Sequence, residues 1–313
     1  MIVAEGLSKS YSGRRAIDGV SFTIAEGEIV GLLGLNGAGK STILKILGCF
    51  LLPSSGRATV GGYSVDTNPQ AIRRLIGYLP DVPPLYDEMT VDSYLTYVAK
   101  LKNVDHKSVA SSVGIVKDKA NLNEVGLARI SELSHGFRQR VGIAQALVHN
   151  PKVIILDEPI NGLDPVQIVE MRDLILSLRG QHTVVLSSHI LSEITRTCDR
   201  VLVVDHGRLV AEGSEASLQS KMFESMRLSL DVTTVPNGLA ERLRAISGVS
   251  AVNYIPGQGG ERFSLDTTGD VRAQVAKVAV DAGAGLLGLS RGEAGLEGLF
   301  MKLIKPVEER AHG

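Results

Sequence analysis

The chain has 313 residues, of which 44% are hydrophobic and 21% charged, with a formal net charge of -1. That length exceeds the roughly 250–300 residues at which single cores stop growing, so a large domain plus a smaller one is expected. The balanced charge excludes bulk attraction to nucleic acid, and no uncharged apolar run reaches the roughly 18–20 residues needed to cross a bilayer.

Met1 to Glu5 has neither the basic start nor the apolar stretch of a signal peptide, so the chain is expected to stay in the cytoplasm. Ile2 to Tyr11 and Ala16 to Ile24 alternate apolar and polar residues around Ser12-Gly13-Arg14, which predicts two strands and a turn. Arg57 to Val65 predicts a further strand of the same kind. Four continuous apolar runs, Ile29 to Leu33, Val153 to Leu156, Val184 to Leu186 and Val201 to Val204, read instead as strands buried on both faces of a parallel sheet. Helices are predicted to start at Lys40, to run from Arg138 to His149 before Pro151, and to run from Pro165 to Arg179 before Gly180. Between Asp81 and Gly136 helical periodicity replaces the strand pattern, clearest at Val91, Tyr94, Leu95, Val98 and Leu101 behind the candidate cap Thr90, which predicts a helical insertion over about 82–140.

The domain over 1–213 is followed by Ser214, Ser217, Gln219, Ser220 and Lys221, read as a polar linker over 214–225. A second domain over 226–313 is then expected. Its pattern is strand (Met226 to Val232), helix (Gly238 to Ser247), strand (Val249 to Ile255), turn (Gly257 to Gly260), strand (Arg262 to Asp266), helix (Val271 to Asp281) and strand (Leu286 to Ser290), the order of a ferredoxin-like α+β domain.

Three strand ends carry the chemistry. Gly34-Leu35-Asn36-Gly37-Ala38-Gly39-Lys40-Ser41 fits G-x-x-x-x-G-K-[ST] between a buried strand and a helix, with Thr42 next in the helix. Its glycines let backbone N–H groups close on phosphate oxygens, Lys40 reaches the β- and γ-phosphates, and the Ser41 hydroxyl binds Mg²⁺. Alone, the same residues could form a tight turn with a solvated lysine. Asp157 and Glu158 leave the Val153 run at the end where doubly wound sheets bind ligands, so Asp157 can support Mg²⁺ and Glu158 can polarise a water for attack on the γ-phosphorus. Without the glycine loop that pair reads more readily as a solvated acidic turn before Pro159. His189, after Val184-Val185-Leu186-Ser187-Ser188, is placed to contact the γ-phosphate, although a lone histidine is more often structural. Cys49 and Cys198 have no partner at metal-ligand spacing and read as reduced core thiols, and the seven histidines form no metal cluster.

With these residues in place, Met1 to about Gly213 resembles the ABC ATPase family, a P-loop NTPase α/β fold with a β subdomain and helical insertion. Leu133-Ser134-His135-Gly136-Phe137-Arg138-Gln139-Arg140 looks like the signature segment, Asn161-Gly162-Leu163-Asp164 like the loop after the Walker B carboxylates, and His189 like the switch histidine. Tyr11 matches the aromatic on which adenine stacks, though a tyrosine in a half-buried strand is also ordinary core. The resemblance implies two subunits paired head to tail, with ATP and Mg²⁺ between one phosphate loop and the Ser134 and Gly136 of the other subunit. It also implies an integral membrane subunit on a separate chain, driven through the helical insertion and the loop around Pro80 and Asp81, and a peripheral place on the cytoplasmic membrane face. Asp81 stands where the family usually has Gln, contributing charge towards the metal, and His135 stands where the signature usually has its first glycine. These departures are similar to the gliding-motility-type ATPases of bacterial ABC exporters. Two other functions fit less of the chain. A soluble ABC ATPase working on ribosomes or DNA usually carries two cassettes, a long coiled coil or a basic arm. A regulatory module that barely hydrolyses ATP does not need the intact Glu158 and His189.

Overall fold

The computed structural model describes residues 1–222, 226–255 and 261–291, and these fall into two compact units, Met1–Ser214 and a second that begins at Glu215. The first unit starts with β1 (Ile2–Tyr11) and β2 (Arg14–Ile24), whose alternating burial marks a sheet with one covered face. β3 (Ile29–Leu33) is buried at every position and delivers the chain into α1 (Lys40–Leu47). β4 (Ser55–Val60) and β5 (Tyr63–Ser64) divide what the sequence reads as one strand, because Gly61 and Gly62 both take positive φ and close a hairpin. α2 (Pro69–Leu75) leads into β6 (Ile76–Leu79). The insertion supplies α3 (Val91–Leu101), capped by Thr90, and α4 (Val109–Lys119).

α5 (His135–Leu147) begins three residues before the predicted start, with Ser134 as its N-cap. Then follow β7 (Val153–Leu156), α6 (Pro165–Ser177), β8 (Thr183–Ser188), α7 (Leu191–Thr197), β9 (Arg200–Asp205) and β10 (Arg208–Gly213). β1, β2, β4 and β5 form an antiparallel sheet in the order β2-β1-β4-β5, and the second sheet has the order β10-β9-β3-β8-β7-β6, parallel except for β10 at its edge. The parallel register puts the carboxyl ends of β3, β7 and β8 side by side, which gathers the site. Ile2, Ile17, Ile24, Leu32, Ile43, Leu44 and Leu202 belong to one core that joins both sheets to α1.

α5 lies against β6 because two glycines clear its path. A Cβ on Gly77 would sit 2.0 Å from the Ala146 carbonyl oxygen, and one on Gly142 would sit 2.6 Å from Leu79 Cδ1. At the end of that helix His149 Nε2 meets the Ile76 carbonyl at 3.0 Å, Lys102 Nζ donates to the same oxygen at 3.2 Å, and His149 Nδ1 is buried with no partner among the described residues. Burial, aided by the nearby Lys102 charge, pushes the His149 imidazole down to about 4.

In the second unit, residues 215–222, read from sequence as linker, form α8 (Glu215–Met222). β11 (Met226–Val232), α9 (Leu239–Arg244), β12 (Val249–Ile255), β13 (Glu261–Thr267), α10 (Arg272–Asp281) and β14 (Leu286–Arg291) follow. The four strands are antiparallel in the order β12-β13-β11-β14. Leu228, Leu230, Val252, Phe263 and Leu265 line one sheet face and share a core with Leu239, Leu243, Val275 and Ala279 of the helices. The expected turn Gly257 to Gly260 and residues 292–313 lie outside the described residues.

Candidate nucleotide site

β3 ends at Leu33, and the next residues turn through Gly37 (φ +82) and Gly39 (φ +111) into α1. Only a residue without Cβ passes at Gly39, because a Cβ there would lie 2.8 Å from the Ala16 carbonyl oxygen. At Gly37 a Cβ would meet nothing within 4 Å, so the backbone there faces open space. No side chain caps α1 among the described residues. The N–H groups of Lys40, Ser41 and Thr42 in its first turn therefore point out of the helix end, where the helix dipole favours an anion.

Lys40 is 5% exposed, and its Nζ donates to the Gly34 carbonyl at 2.7 Å and lies 3.2 Å from Glu158 Oε1. The other carboxylate oxygen of Glu158 is 2.9 Å from His189 Nδ1. A lysine and a glutamate this buried each need the other, since either alone would be an uncompensated charge. Asp157 is held by two hydroxyls on one oxygen, Ser41 at 3.0 Å and Ser187 at 2.7 Å. Glu158 takes φ +49, a left-handed backbone that costs about 1–3 kcal/mol in a residue other than glycine. Its N–H donates to Ser187 Oγ at 2.9 Å.

Lys40, Ser41, Asp157, Glu158 and His189 thus converge from distant parts of the chain onto one end of the parallel sheet. The oxygen donors of Ser41 and Asp157 suit Mg²⁺, which takes one or two protein oxygens and completes its shell with phosphate and water. No group of three or more His, Cys, Asp or Glu gathers for a metal among the described residues. Asp81, two positions past β6, is exposed and shares no hydrogen bond or ion pair with Ser41 or Asp157 among the described residues.

Tyr11 is 45% exposed at the end of β1, with Lys9 Nζ 5.6 Å from the ring centre. It lines a cleft of about 640 Å³ together with Arg14, Arg15, Asn36, Ala38 and His206. The turn between β9 and β10 closes this cleft from behind. Gly207 N–H donates to the Ala38 carbonyl at 2.9 Å, and Asp18 N–H donates to the Gly207 carbonyl at 2.8 Å. A Cβ on Gly207 would lie 2.6 Å from the Ala16 carbonyl oxygen.

Ser134 and Gly136 stand apart from this cluster. The Ser134 hydroxyl accepts from Phe137 N–H and caps α5, whereas Gly136 is packed so closely that a Cβ would lie 2.5 Å from the Gln167 side chain. His135 Nε2 lies 3.1 Å from the Asn161 carbonyl oxygen, and Arg140 pairs with Glu170. The residue in place of a glycine therefore braces α5 to the loop that leads into α6. Sequence reasoning missed Ser187 and His206. A serine in an apolar strand reads as filler, and nothing local connects residue 206 with residue 11.

A second cleft, about 350 Å³, is lined by Lys45, Phe50, Tyr78, Pro80, Pro84 and Lys102. Phe50 is 62% exposed, with its ring centre 4.7 Å from that of Tyr78. Burial, reinforced by the Asp157 charge, pushes the Tyr78 phenol up.

Comparison with known proteins gives a consistent picture. The family profile described as ABC transporter matches residues 17–161. The bacitracin transport ATP-binding protein BcrA of Bacillus licheniformis is 33% identical over 97% of both chains, so the likeness continues through the second unit. The Nod factor export ATP-binding protein I of Rhizobium sp. (strain N33) is 37% identical over 68% of this chain and 70% of its own. Among solved structures, the ATP-binding cassette MJ0796, a dimer in a post-hydrolysis state with ADP and Pi, superposes with a TM-score of 0.64 at 25% identity, covering 68% of this chain and 98% of that one.

Proposed function

Since the chain belongs to the ABC transporter ATP-binding proteins, a family of ATPases, we propose that it is the subunit whose ATP-driven closure and opening energises a bacterial ABC exporter. The observation that carries this reading is the junction of Lys40, Ser41, Asp157, Glu158 and His189 at the carboxyl ends of β3, β7 and β8. The backbone from Gly34 to Thr42 cradles the β- and γ-phosphates, with Asn36, Gly37, Ala38 and Gly39 supplying the curve. Lys40 leaves Glu158 for the γ-phosphate, and the freed carboxylate orients and deprotonates the attacking water. His189 holds Glu158 from the far side and reaches the γ-phosphate. Mg²⁺, held by Ser41 and Asp157, would neutralise phosphate charge as it develops. Tyr11 carries the adenine ring. Asp81 acts on the metal site only by charge across the crevice.

Ser134 and Gly136 belong to the partner's nucleotide, because they open α5, whose N-terminus favours an anion and which shares no hydrogen bond with its own phosphate loop among the described residues. The dimeric cassette relative supports pairing of two such subunits, here arranged head to tail with two shared ATP sites. The second cleft, apolar and exposed at Phe50, supports docking of a membrane subunit beside Pro80. Among the described residues no helix is long and apolar enough to cross a membrane. A peripheral place on the cytoplasmic membrane face, beside that subunit, rests on the family and on its transport relatives. Asp81 and the His135-Gly136-Phe137 signature support the gliding-motility-type branch. The order β12-β13-β11-β14 with two helices supports a ferredoxin-like accessory domain over 226–313, regulatory or dimer-stabilising, with domain limits at 213 and 226.

Purification from native membranes is the test. Recovery with an integral subunit, and release when that subunit is deleted, is the expected result. Recovery only with ribosomes or DNA refutes the transport reading.

A further inference from the structure

We infer that Ser187 is a positioning residue for hydrolysis, setting Asp157 and Glu158 through one hydroxyl; the inference rests on the roles proposed above for those two carboxylates. Ser187 is 0% exposed in β8. β7 and β8 run in parallel with Leu156 opposite Leu186, so the next residue along each strand brings Ser187 beside Asp157. Its hydroxyl has one proton, which it donates to Asp157 Oδ1 at 2.7 Å, and its lone pair accepts the Glu158 N–H at 2.9 Å. Both neighbours are thereby satisfied in one direction, with no freedom to reverse.

The second bond matters because Glu158 has φ +49. A glutamate in that conformation must be held from outside: its carbonyl accepts from Asn161 N–H at 3.2 Å, and its own N–H goes to Ser187. The same hydroxyl that orients the metal-side carboxylate therefore fixes the backbone that aims the base. Ser41 also donates to Asp157 Oδ1, but Ser41 has metal and phosphate to serve once nucleotide is present. Ser187 has no such alternative and keeps Asp157 in place throughout the cycle.

Ser188 provides a matched control. It is equally buried, and its hydroxyl accepts from Ile190 N–H at 3.0 Å without touching a carboxylate. Ser187→Cys keeps the shape of the side chain and replaces the hydroxyl with a weak donor and acceptor, so it reads the hydrogen bonds with packing intact. In the full chain, Ser187→Cys and Ser187→Ala are expected to lower kcat at least tenfold and to raise the magnesium concentration for half-maximal rate. ATP binding in EDTA and the melting temperature should stay within the range of Ser188→Ala, and Ser187→Thr should restore most of kcat. The inference is overturned if Ser187→Cys keeps kcat and magnesium dependence within twofold of the parent, or if Ser188→Ala loses as much. If Glu158→Gln abolishes hydrolysis while Ser187→Cys does not, only the role of Ser187 fails; if Glu158→Gln hydrolyses at the parent rate, the reading of Glu158 itself fails.

Discussion

Replacing Glu158 by glutamine removes a charge and almost no volume, and its effect divides cleanly between the free and nucleotide-bound protein. In the free protein Lys40 Nζ lies 3.2 Å from Glu158 Oε1, with both side chains 10% exposed or less. At that separation two unit charges attract by about 5 kcal/mol with an effective dielectric constant of about 20, an upper bound on what the substitution gives up. The amide introduced by Glu158→Gln retains a carbonyl oxygen for Lys40, so only part of this is lost, and the free protein melts at lower temperature. ATP restores a negative partner to Lys40 and no longer competes with a carboxylate. The variant should therefore bind ATP at least about tenfold more tightly, equivalent to about 1.4 kcal/mol. Loss of a general base costs a factor of about 10²–10⁴ in rate, and an uncleaved γ-phosphate keeps the paired state closed. Three assays suffice: phosphate release at saturating ATP, melting with and without ATP, and size-exclusion chromatography in ATP. Parent-rate hydrolysis refutes the assignment of the base. ATP affinity at or below the parent value refutes the competition between Glu158 and the γ-phosphate for Lys40.

Other expectations follow from single sites. Tyr11→Ala should raise KM for ATP about 2- to 10-fold with kcat little changed, the size of one aromatic stacking contact, measured by steady-state kinetics. Gly77→Ala places a methyl 2.0 Å from the Ala146 carbonyl oxygen and should destabilise the first unit by about 3 kcal/mol, read by urea unfolding. His149 is held down to about 4 from an ordinary 6.5. The unfolded chain therefore binds the extra proton between those values, and the stability that His149 contributes is full above pH 6.5 and lost as pH falls towards 4. The whole loss amounts to about 3 kcal/mol, and His149→Leu should flatten the difference between urea midpoints at about pH 7 and about pH 5.

Much of the first unit was legible because its signals are local. Ile29 to Leu33 and Val153 to Leu156 are continuous apolar runs bounded by turn residues, and each is a strand with those limits. Gly34 to Ser41 combines spacing, strand and helix in one stretch. The hairpin at Gly61 and Gly62 was readable from the Gly-Gly pair itself, which between alternating runs marks a two-residue turn; reading Arg57 to Val65 as one strand passed over it. Residues 215–222 look like linker because their apolar residues form no stripe, yet Glu215 in the first turn favours the helix that forms there. The strand expected over Leu286 to Ser290 is β14, held despite Gly288 by pairing with β11, with Leu230 opposite Leu289. Ser187 and His206 are hidden for another reason: their importance comes from neighbours that the fold, and not the local sequence, provides. The left-handed Glu158 lies in the same category, since nothing in its residue type asks for φ +49.

The turn at Gly207 joins the phosphate loop to β2 through two main-chain hydrogen bonds, and the Arg208–Asp18 ion pair at 2.8 Å adds a side-chain link. Any side chain at Gly207 would crowd the Ala16 carbonyl oxygen, and an inserted residue would break the joint. It also makes the Gly207 and Asp18 amides reporters of occupancy: when nucleotide stiffens the loop, deuterium uptake at both should slow together, with no dye or label on the protein.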